Sequence, residues 1–368
     1  MSGTETAGTT VSGIKAAAAV SPAPPARIGK VSAAAVARAC GVSPATVSYV
    51  MNGRPGVSTE TRRHVVKIAN ELGYRPAGHG SLPDPLLTRV VGLILPNIVN
   101  QMYTGWAQHI ITATAAEGFE VFVATTQDDA ESLAQVASTL AARNVDGVII
   151  AAALREDSRA LRTLRQKRIP YVYLSRRSER FPGDFVGIDD DAAASLLMSH
   201  VLGHGYTEIA TVIGPRFSTA SLAREQAFVR TAAAAGVVIS GDRKISTRLN
   251  SHGGLVAAEK LLSSASPPRA IVCGSDEIAI GVMEHALSLG LRIPADLAVV
   301  AGDGLPHSRS RLIGMTTIVQ PVRKMADRAF ELLLNQISTP RSTYAHEICE
   351  HRLHLGTSCG CPPDPPAT

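Results

Sequence analysis

Aromatic side chains are scarce: 4% of 368 residues, with a single tryptophan. The core of so long a chain must therefore be filled by Ala, Val, Leu and Ile, and the length suits two or three domains. Cysteine is scarce too. Cys40, Cys273, Cys349, Cys359 and Cys361 are odd in number and unevenly spread, which argues against a disulfide framework and fits a reducing cytoplasm. No apolar run reaches the roughly 18 residues that span a bilayer, so no membrane partner is expected. The first 29 residues lack a long apolar segment behind a basic start. Rich in Ala, Pro, Ser and Thr, they read as a disordered tail and not as a secretory signal, which disfavours a secreted binding protein. Acidic residues are thin at the front. Of 36 basic and 31 acidic side chains, residues 1–90 hold ten and four, a net of +6, and the other 278 residues come to −1. A positive front attracts polyanions such as a phosphate backbone.

Short helical segments are expected near 33–40, 44–52 and 59–72, followed by a linker at 76–89 that contains Gly78, Gly80, Pro83 and Pro85. From Val90 the pattern changes. Short apolar runs such as VVGLIL (90–95), GVIIAA (147–152), IATVIG (209–214) and AIVCGS (270–275) alternate with helix-length amphipathic segments. Continuous apolar strands between helices indicate parallel sheets covered on both faces. About nine strands exceed one comfortable sheet, so two doubly wound subdomains with a cleft are expected. The expected boundaries are a front domain at 30–75, a sensor at 90–355 and a disordered tail at 356–368. Within the sensor, one subdomain takes about 90–188 plus 321–340, the other about 189–320 plus 341–355.

The front segment VSAAAVARACGVSPATVSYVMNG is the most informative stretch. Ser32 can cap a first helix with Ala35, Val36 and Ala39 at apolar positions. Gly41 supplies the turn, because glycine alone enters positive φ without strain. Ser43 caps a second helix, with Pro44 at its first position, where a missing N–H costs nothing. Val42, Val47 and Val50 pack inward, leaving Pro44, Ala45, Thr46, Ser48 and Tyr49 outward. In a helix-turn-helix this second helix enters the major groove. Tyr49 and Ala45 suit base edges and thymine methyls, while Thr46 and Ser48 suit phosphate oxygens. A third helix begins at Ser58 and presents Arg62, Arg63 and Lys67.

The run V-A-x-x-x-G-V-S-x-x-T-V-S-x-V-x-N-G from Val36 to Gly53, its continuation V-S-x-x-T-R-x-x-V from Val57 to Val65, and ELGYRP at 71–76 together resemble the LacI/GalR family of bacterial repressors. The resemblance implies an N-terminal all-α helix-turn-helix domain plus an α/β periplasmic-binding-protein-like sensor. It also implies a homodimer, or a higher assembly, on a pseudo-palindromic double-stranded operator. Asn52, and the linker residues Leu82 and Pro83, join the expected DNA contacts. In relatives the linker forms a hinge helix whose leucine wedges into the minor groove. Here Pro83 falls at that position, with Leu82 one residue early, so wedge and flexible tether both stand as readings.

Further pieces of the same resemblance are LPNIVNQMY (95–103), HVLGHGYTEIATVIGP (200–215), GSDEIAIG (274–281) and TTIVQP (316–321). They imply a small-molecule effector, sugar-like or a related polyol or nucleoside. Its expected contacts are Met102, Tyr103, Arg224, Leu249, Ser275, Asp303 and Gln320. Arginine and aspartate suit ligand hydroxyls through bidentate donation and charged acceptance. Ser175 stands where many sugar-binding relatives carry aspartate, and Ala301-Gly302-Asp303 departs from their aromatic version.

Other signals are set aside. Gly356 to Gly360 fits G-x-S-x-G but lacks a following helix and later partners. His346, His351 and His354 with Cys349, Cys359 and Cys361 match no familiar zinc spacing. Gly203-His204-Gly205 lacks the third glycine of a dinucleotide fingerprint. No catalytic residue, no cofactor and no metal are expected. A transport component and an α/β enzyme fused to a DNA-binding module are the rival classes, disfavoured by the front domain and by the missing catalytic set.

Overall fold

The computed structural model describes residues 32–51, 56–72, 74, 87–339 and 343–362. The chain divides into two units, one ending at Leu86 and one beginning at Leu87.

The first unit contains α1 (Ala33–Cys40), α2 (Pro44–Met51) and α3 (Thr59–Glu71). Each start has a serine cap. Ser32 Oγ accepts from Ala35 N at 3.3 Å, Ser43 Oγ from Thr46 N at 3.0 Å and Ser58 Oγ from Thr61 N at 3.2 Å, satisfying amides a helix cannot bond internally. Gly41 ends α1 at φ 66°, the left-handed geometry the turn requires. The core is aliphatic and small: Val36, Ala37, Val47, Val50, Val65, Val66 and Ala69 are buried. The expectation for α1 needs correction, because Ala37 is buried while Ala39 is exposed. Arg62 donates from Nη1 to Val50 O at 3.2 Å and ties α3 to the second helix, so it is only partly a surface cation.

The second unit forms two six-stranded sheets from its described residues. The first takes β1 (Val90–Leu95), β2 (Glu120–Thr125), β3 (Gly147–Ile150), β4 (Tyr171–Leu174), β5 (Asp184–Ile188) and β11 (His346–Cys349), in the order β11-β5-β4-β3-β1-β2. All its pairings are parallel. Around it lie α4 (Gln101–Ala116), α5 (Ala130–Ala142), α6 (Arg159–Gln166) and α11 (Val322–Ser338). The second sheet takes β6 (Ile209–Ile213), β7 (Lys244–Ser246), β8 (Ala270–Cys273), β9 (Ala298–Ala301), β10 (Thr316–Val319) and β12 (Arg352–His354), in the order β12-β10-β9-β8-β6-β7. Only β12 runs antiparallel to its neighbour. Its helices are α7 (Asp190–Gly203), α8 (Thr219–Ala234), α9 (Ser251–Leu262) and α10 (Asp276–Ser288). This is the doubly wound pair of subdomains that the alternating apolar runs imply. The inner strands β3, β4, β5, β6, β8 and β9 are buried along their whole length.

Helices α9 and α10 meet backbone to backbone. A Cβ built on Gly281 would lie 1.8 Å from Ser251 O, and one on Gly254 would lie 2.0 Å from Ile278 O.

Three boundaries differ from expectation. Strand β11 belongs to the first subdomain, not the second. The buried Asp184 carboxylate accepts from Ala345 N at 2.6 Å and from Gln336 Nε2 at 3.0 Å, and this pins the returning chain beside β5. Residues 87–89 belong to the sensor and not the linker, since Thr88 N and Arg89 N both donate to Asp146, at 2.9 and 2.7 Å. Residues 356–362 are not a disordered tail: Ser358 Oγ donates to Val299 O at 2.5 Å and accepts from Thr316 N at 3.0 Å, and Cys359 is fully buried. Short polar side chains here replace the pairing that a strand neighbour would supply, which composition alone cannot distinguish from disorder. No helix among the described residues is long and apolar enough to cross a membrane.

Candidate functional sites: a helix-turn-helix face and an inter-subdomain cleft

In the first unit, the 3.6-residue period turns Val47 and Val50 into the core and Pro44, Ala45, Ser48 and Tyr49 outward. Tyr49 is 45% exposed, a large ring on a surface whose other outward side chains are small. Thr46 is half-buried, and its hydroxyl bonds the Ser43 hydroxyl at 2.9 Å, so it braces the helix start and is less available to phosphate than expected. Ser32 is exposed and occupied as a cap. Arg38, Arg63 and Lys67 are exposed on α1 and α3. Asn52, Leu82 and Pro83 lie outside the described residues.

In the second unit, the strand carboxyl ends converge on a cleft, where open α/β sheets bind ligands. One small cavity, about 40 Å³ of water-accessible space, is lined by Met102, Tyr103, Arg224, Leu249, Ser275, Asp303 and Gln320, and also by Asn100, Trp106, Ser175 and Arg176. An outer pocket of about 360 Å³ continues from Leu249 to Asn97, Gln127, Asp128, Phe217, Arg248 and Asn250. Bonds across the cleft hold it narrow. Arg155 N donates to Phe217 O at 2.8 Å, Arg177 N to Thr219 Oγ1 at 3.1 Å, and His307 Nδ1 and Gln101 Oε1 share a bond at 2.7 Å.

The floor is an ion network. Arg224 donates from Nε to Asp190 at 2.8 Å, from Nη1 to Gly274 O, and lies 3.5 Å from Asp303 Oδ1. Burial works against its charge, but Asp190 and Asp303 outweigh burial and keep its pKa raised. Burial raises the Asp190 pKa, with Arg224 opposing. Asp303 is pushed up to about 7, chiefly by burial; Arg224 opposes the rise and Asp276 adds to it. Its carboxylate accepts from Gln320 Nε2 at 3.0 Å and from Asp276 N at 3.2 Å. Fully buried Asp276 in turn fixes the loop, accepting from Asp303 N at 3.0 Å, Leu305 N at 2.7 Å and Thr317 Oγ1 at 2.6 Å. Arg176, 3% exposed, donates to Ala151 O at 2.9 Å and pairs with Asp128. Its Nη1, together with Trp106 Nε1 and Gln320 Oε1, is buried with no partner in the protein. Native interiors rarely leave such atoms unsatisfied.

Residues 34–77 match the family model described as bacterial regulatory proteins, lacI family, and residues 198–359 match a periplasmic binding protein-like domain. The chain is 31% identical to the HTH-type transcriptional regulator MalR of Streptomyces coelicolor, over 82% of this chain and 89% of MalR. The chain belongs to the LacI family of bacterial transcriptional regulators. This LacI-family chain is also 30% identical to the ribose operon repressor of Halalkalibacterium halodurans, over 85% of its own length and 92% of the relative's. Among solved structures it is similar to a transcriptional regulator CelR–cellobiose complex, with 26% identity, a TM-score of 0.68, and coverage of 89% of this chain and 100% of that one.

All seven expected effector contacts of this LacI-family sensor line the one cavity, though not in equal ways. Ser275 accepts from Ile278 N at 3.3 Å and caps α10, which leaves its hydroxyl proton as its offer to a ligand. Asn100 likewise caps α4, accepting from Met102 N at 2.9 Å. Sequence reasoning passed over Asn100, Trp106, Arg176 and Asp190. Trp106 could have been found, since it follows Met102 and Tyr103 by four and three residues, the spacing of one helix face. Arg176 follows Ser175, which takes φ 67° at the end of β4; no spacing signals that turn. The histidine- and cysteine-bearing C-terminal stretch does not gather as one set: His346 sits at the first sheet's edge, 3.2 Å from Arg177 Nη1, while Cys359 lies buried beside β10.

Proposed function

We propose that this LacI-family regulator is a repressor, working in the cytoplasm as a homodimer on a pseudo-palindromic operator, and that a sugar or related polyol or nucleoside in the sensor cleft controls its grip on DNA. One observation carries the effector reading: Arg176, Trp106 and Gln320, which line a single cavity at the strand carboxyl ends, each hold a buried polar atom (Nη1, Nε1 and Oε1) with no partner in the protein. Two donors and an acceptor, together with the Asp303 carboxylate, suit a ligand rich in hydroxyls, with Met102 and Tyr103 supplying the apolar part of the lining. On α2, Pro44, Ala45, Ser48 and Tyr49 serve as the groove-facing set, with Ser43 and Thr46 fixing the helix start. Asn52, Leu82 and Pro83 extend the DNA contacts in this reading. A binding role is favoured over catalysis, because the cavity's charged groups are engaged with one another and Ser358, in the G-x-S-x-G run, spends its hydroxyl on Val299 O. The known-protein likenesses to a ribose operon repressor and a cellobiose complex support the sugar class. Thermal-shift screening of a sugar and nucleoside panel tests this. A stabilising compound is expected, and its effect should vanish in Asp303→Ala; stabilisation that survives the substitution contradicts the pocket.

A further inference from the structure

We propose that His200, His204, Cys359 and Cys361 form a four-ligand zinc site that fastens the C-terminal segment to the end of α7. One donor atom from each residue lies within 4.8 Å of the other three. His200 Nε2 lies 3.3 Å from His204 Nε2, 3.2 Å from Cys359 Sγ and 3.6 Å from Cys361 Sγ, and His204 Nε2 lies 3.4 Å from Cys361 Sγ. A tetrahedral zinc with its usual bond lengths, about 2.0–2.1 Å to nitrogen and about 2.3 Å to sulfur, sets nitrogen–nitrogen and nitrogen–sulfur pairs about 3.3–3.6 Å apart and two sulfurs about 3.8 Å apart. Three of the four contacts fall in that range, and the fourth, His200 Nε2 to Cys359 Sγ at 3.2 Å, lies just below it.

Hydrogen bonding alone does not explain the cluster. An imidazole nitrogen carries either one proton or one lone pair, so it forms one strong bond. Three heteroatoms nevertheless converge on His200 Nε2. A cation at their common point satisfies all of them at once, and two thiolates neutralise a divalent charge. Two imidazoles with two thiolates favour zinc over the hard cations, which prefer oxygen.

The chain is built to present these donors. His200 and His204 are four residues apart at the end of α7, so they share one helix face. Between the cysteines, Gly360 takes φ 102°, which folds the chain back and turns both sulfurs to the same side. Behind the four donors, Thr316 Oγ1 lies 3.0 Å from Cys359 Sγ and Tyr206 donates to Cys359 O at 3.3 Å, the kind of support that orients metal ligands. The site sits where α7 ends and β6 and β10 begin, at the amino end of the second sheet. The effector cleft is at the carboxyl end. Its role is therefore structural, and it is independent of the effector reading.

Full-length, reduced, metal-stripped protein titrated with zinc against a chromophoric chelator is the test, repeated with cobalt. One equivalent per chain is expected, with the cobalt form showing the visible bands of a tetrahedral site and thiolate charge transfer. Cys361→Ser and His204→Ala should each weaken zinc by at least about tenfold, while Cys40→Ser leaves it unchanged. Failure of the unaltered protein to bind, a cobalt spectrum without thiolate bands, a signal that follows Cys40, or a Cys359–Cys361 disulfide that persists under reductant would each overturn the proposal. The cobalt spectrum of the unaltered protein decides the matter even if a variant fails to fold.

Discussion

Arg224 and Asp303 face each other across 3.5 Å of cleft floor, both almost wholly buried. The guanidinium is shared with Asp190, which it binds more closely at 2.8 Å. One arginine thus holds two carboxylates, and the more loosely held one lines the cavity. Asp303 is therefore placed to trade part of its pairing for a ligand hydroxyl.

Asp303 should make effector binding depend on pH. Its pKa in the fold, about 7, lies above the ordinary aspartate value of 3.8, so the fold favours the protonated form. Stability from this group is present at low pH and is lost as pH rises through the interval between those values. A ligand that donates hydroxyls needs the carboxylate, so the sign for binding is opposite. Affinity should rise about tenfold from about pH 6 to about pH 8, with proton release on binding near neutrality. Titration calorimetry in buffers of different ionisation enthalpy measures both, and Asp303→Asn should remove the dependence. A flat profile in the unaltered protein contradicts the assignment.

Replacing Arg224 should be costly. Arg224→Ala leaves Asp190 and Asp303 buried without their cation, a loss of about 3–5 kcal/mol. Adding Asp190→Asn should restore part of it. Denaturant unfolding of both variants checks the order; equal stability of Arg224→Ala and the unaltered chain contradicts the network.

At Gly281 two effects have opposite signs. Alanine in a helix interior is favoured over glycine by about 1 kcal/mol. The new Cβ, however, would lie 1.8 Å from Ser251 O, a backbone atom that cannot rotate away. Overpacking of this kind costs about 1–3 kcal/mol, so Gly281→Ala should lower the melting temperature. A rise would show that α9 and α10 are less tightly joined than described.

On DNA, Tyr49 and Arg63 should separate. Tyr49→Ala should reduce the preference for operator over scrambled DNA by about 1–3 kcal/mol, as loss of base readout does. Arg63→Ala should weaken both DNAs alike and lower the salt slope by about 1. Fluorescence anisotropy at several salt concentrations tells these outcomes apart.

Much of the fold was legible because its signals are local. Ser32, Gly41, Ser43 and Pro44 mark α1 and α2 to within a residue, and buried parallel strands read as apolar runs. What escaped was long-range or atypical. Helix α6, RALRTLRQ, is only eight residues long and carries three arginines, with Ala160, Leu161 and Leu164 its buried face. Strand β11 joins the first sheet through Asp184, 161 residues away from Ala345, a pairing that no periodicity encodes. The segment Gly356–Pro362 has the composition of a tail and the hydrogen bonds of a core edge. In the cleft, seven contacts came from family resemblance. Trp106 was readable from its helix-face spacing to Met102 and Tyr103, whereas Arg176, Asn100 and Asp190 emerge only once the strand ends are brought together.

The most direct test of the regulatory account is binding of the full-length chain to its own upstream promoter DNA, with and without the compound that stabilises the sensor. The account predicts preference for a two-fold symmetric segment over scrambled DNA, and an affinity shifted by at least about fivefold by the effector. Asp303→Ala should abolish the shift while leaving DNA binding intact. Equal affinity for promoter and scrambled DNA, or an effector that stabilises the sensor yet leaves DNA affinity unchanged, would contradict it.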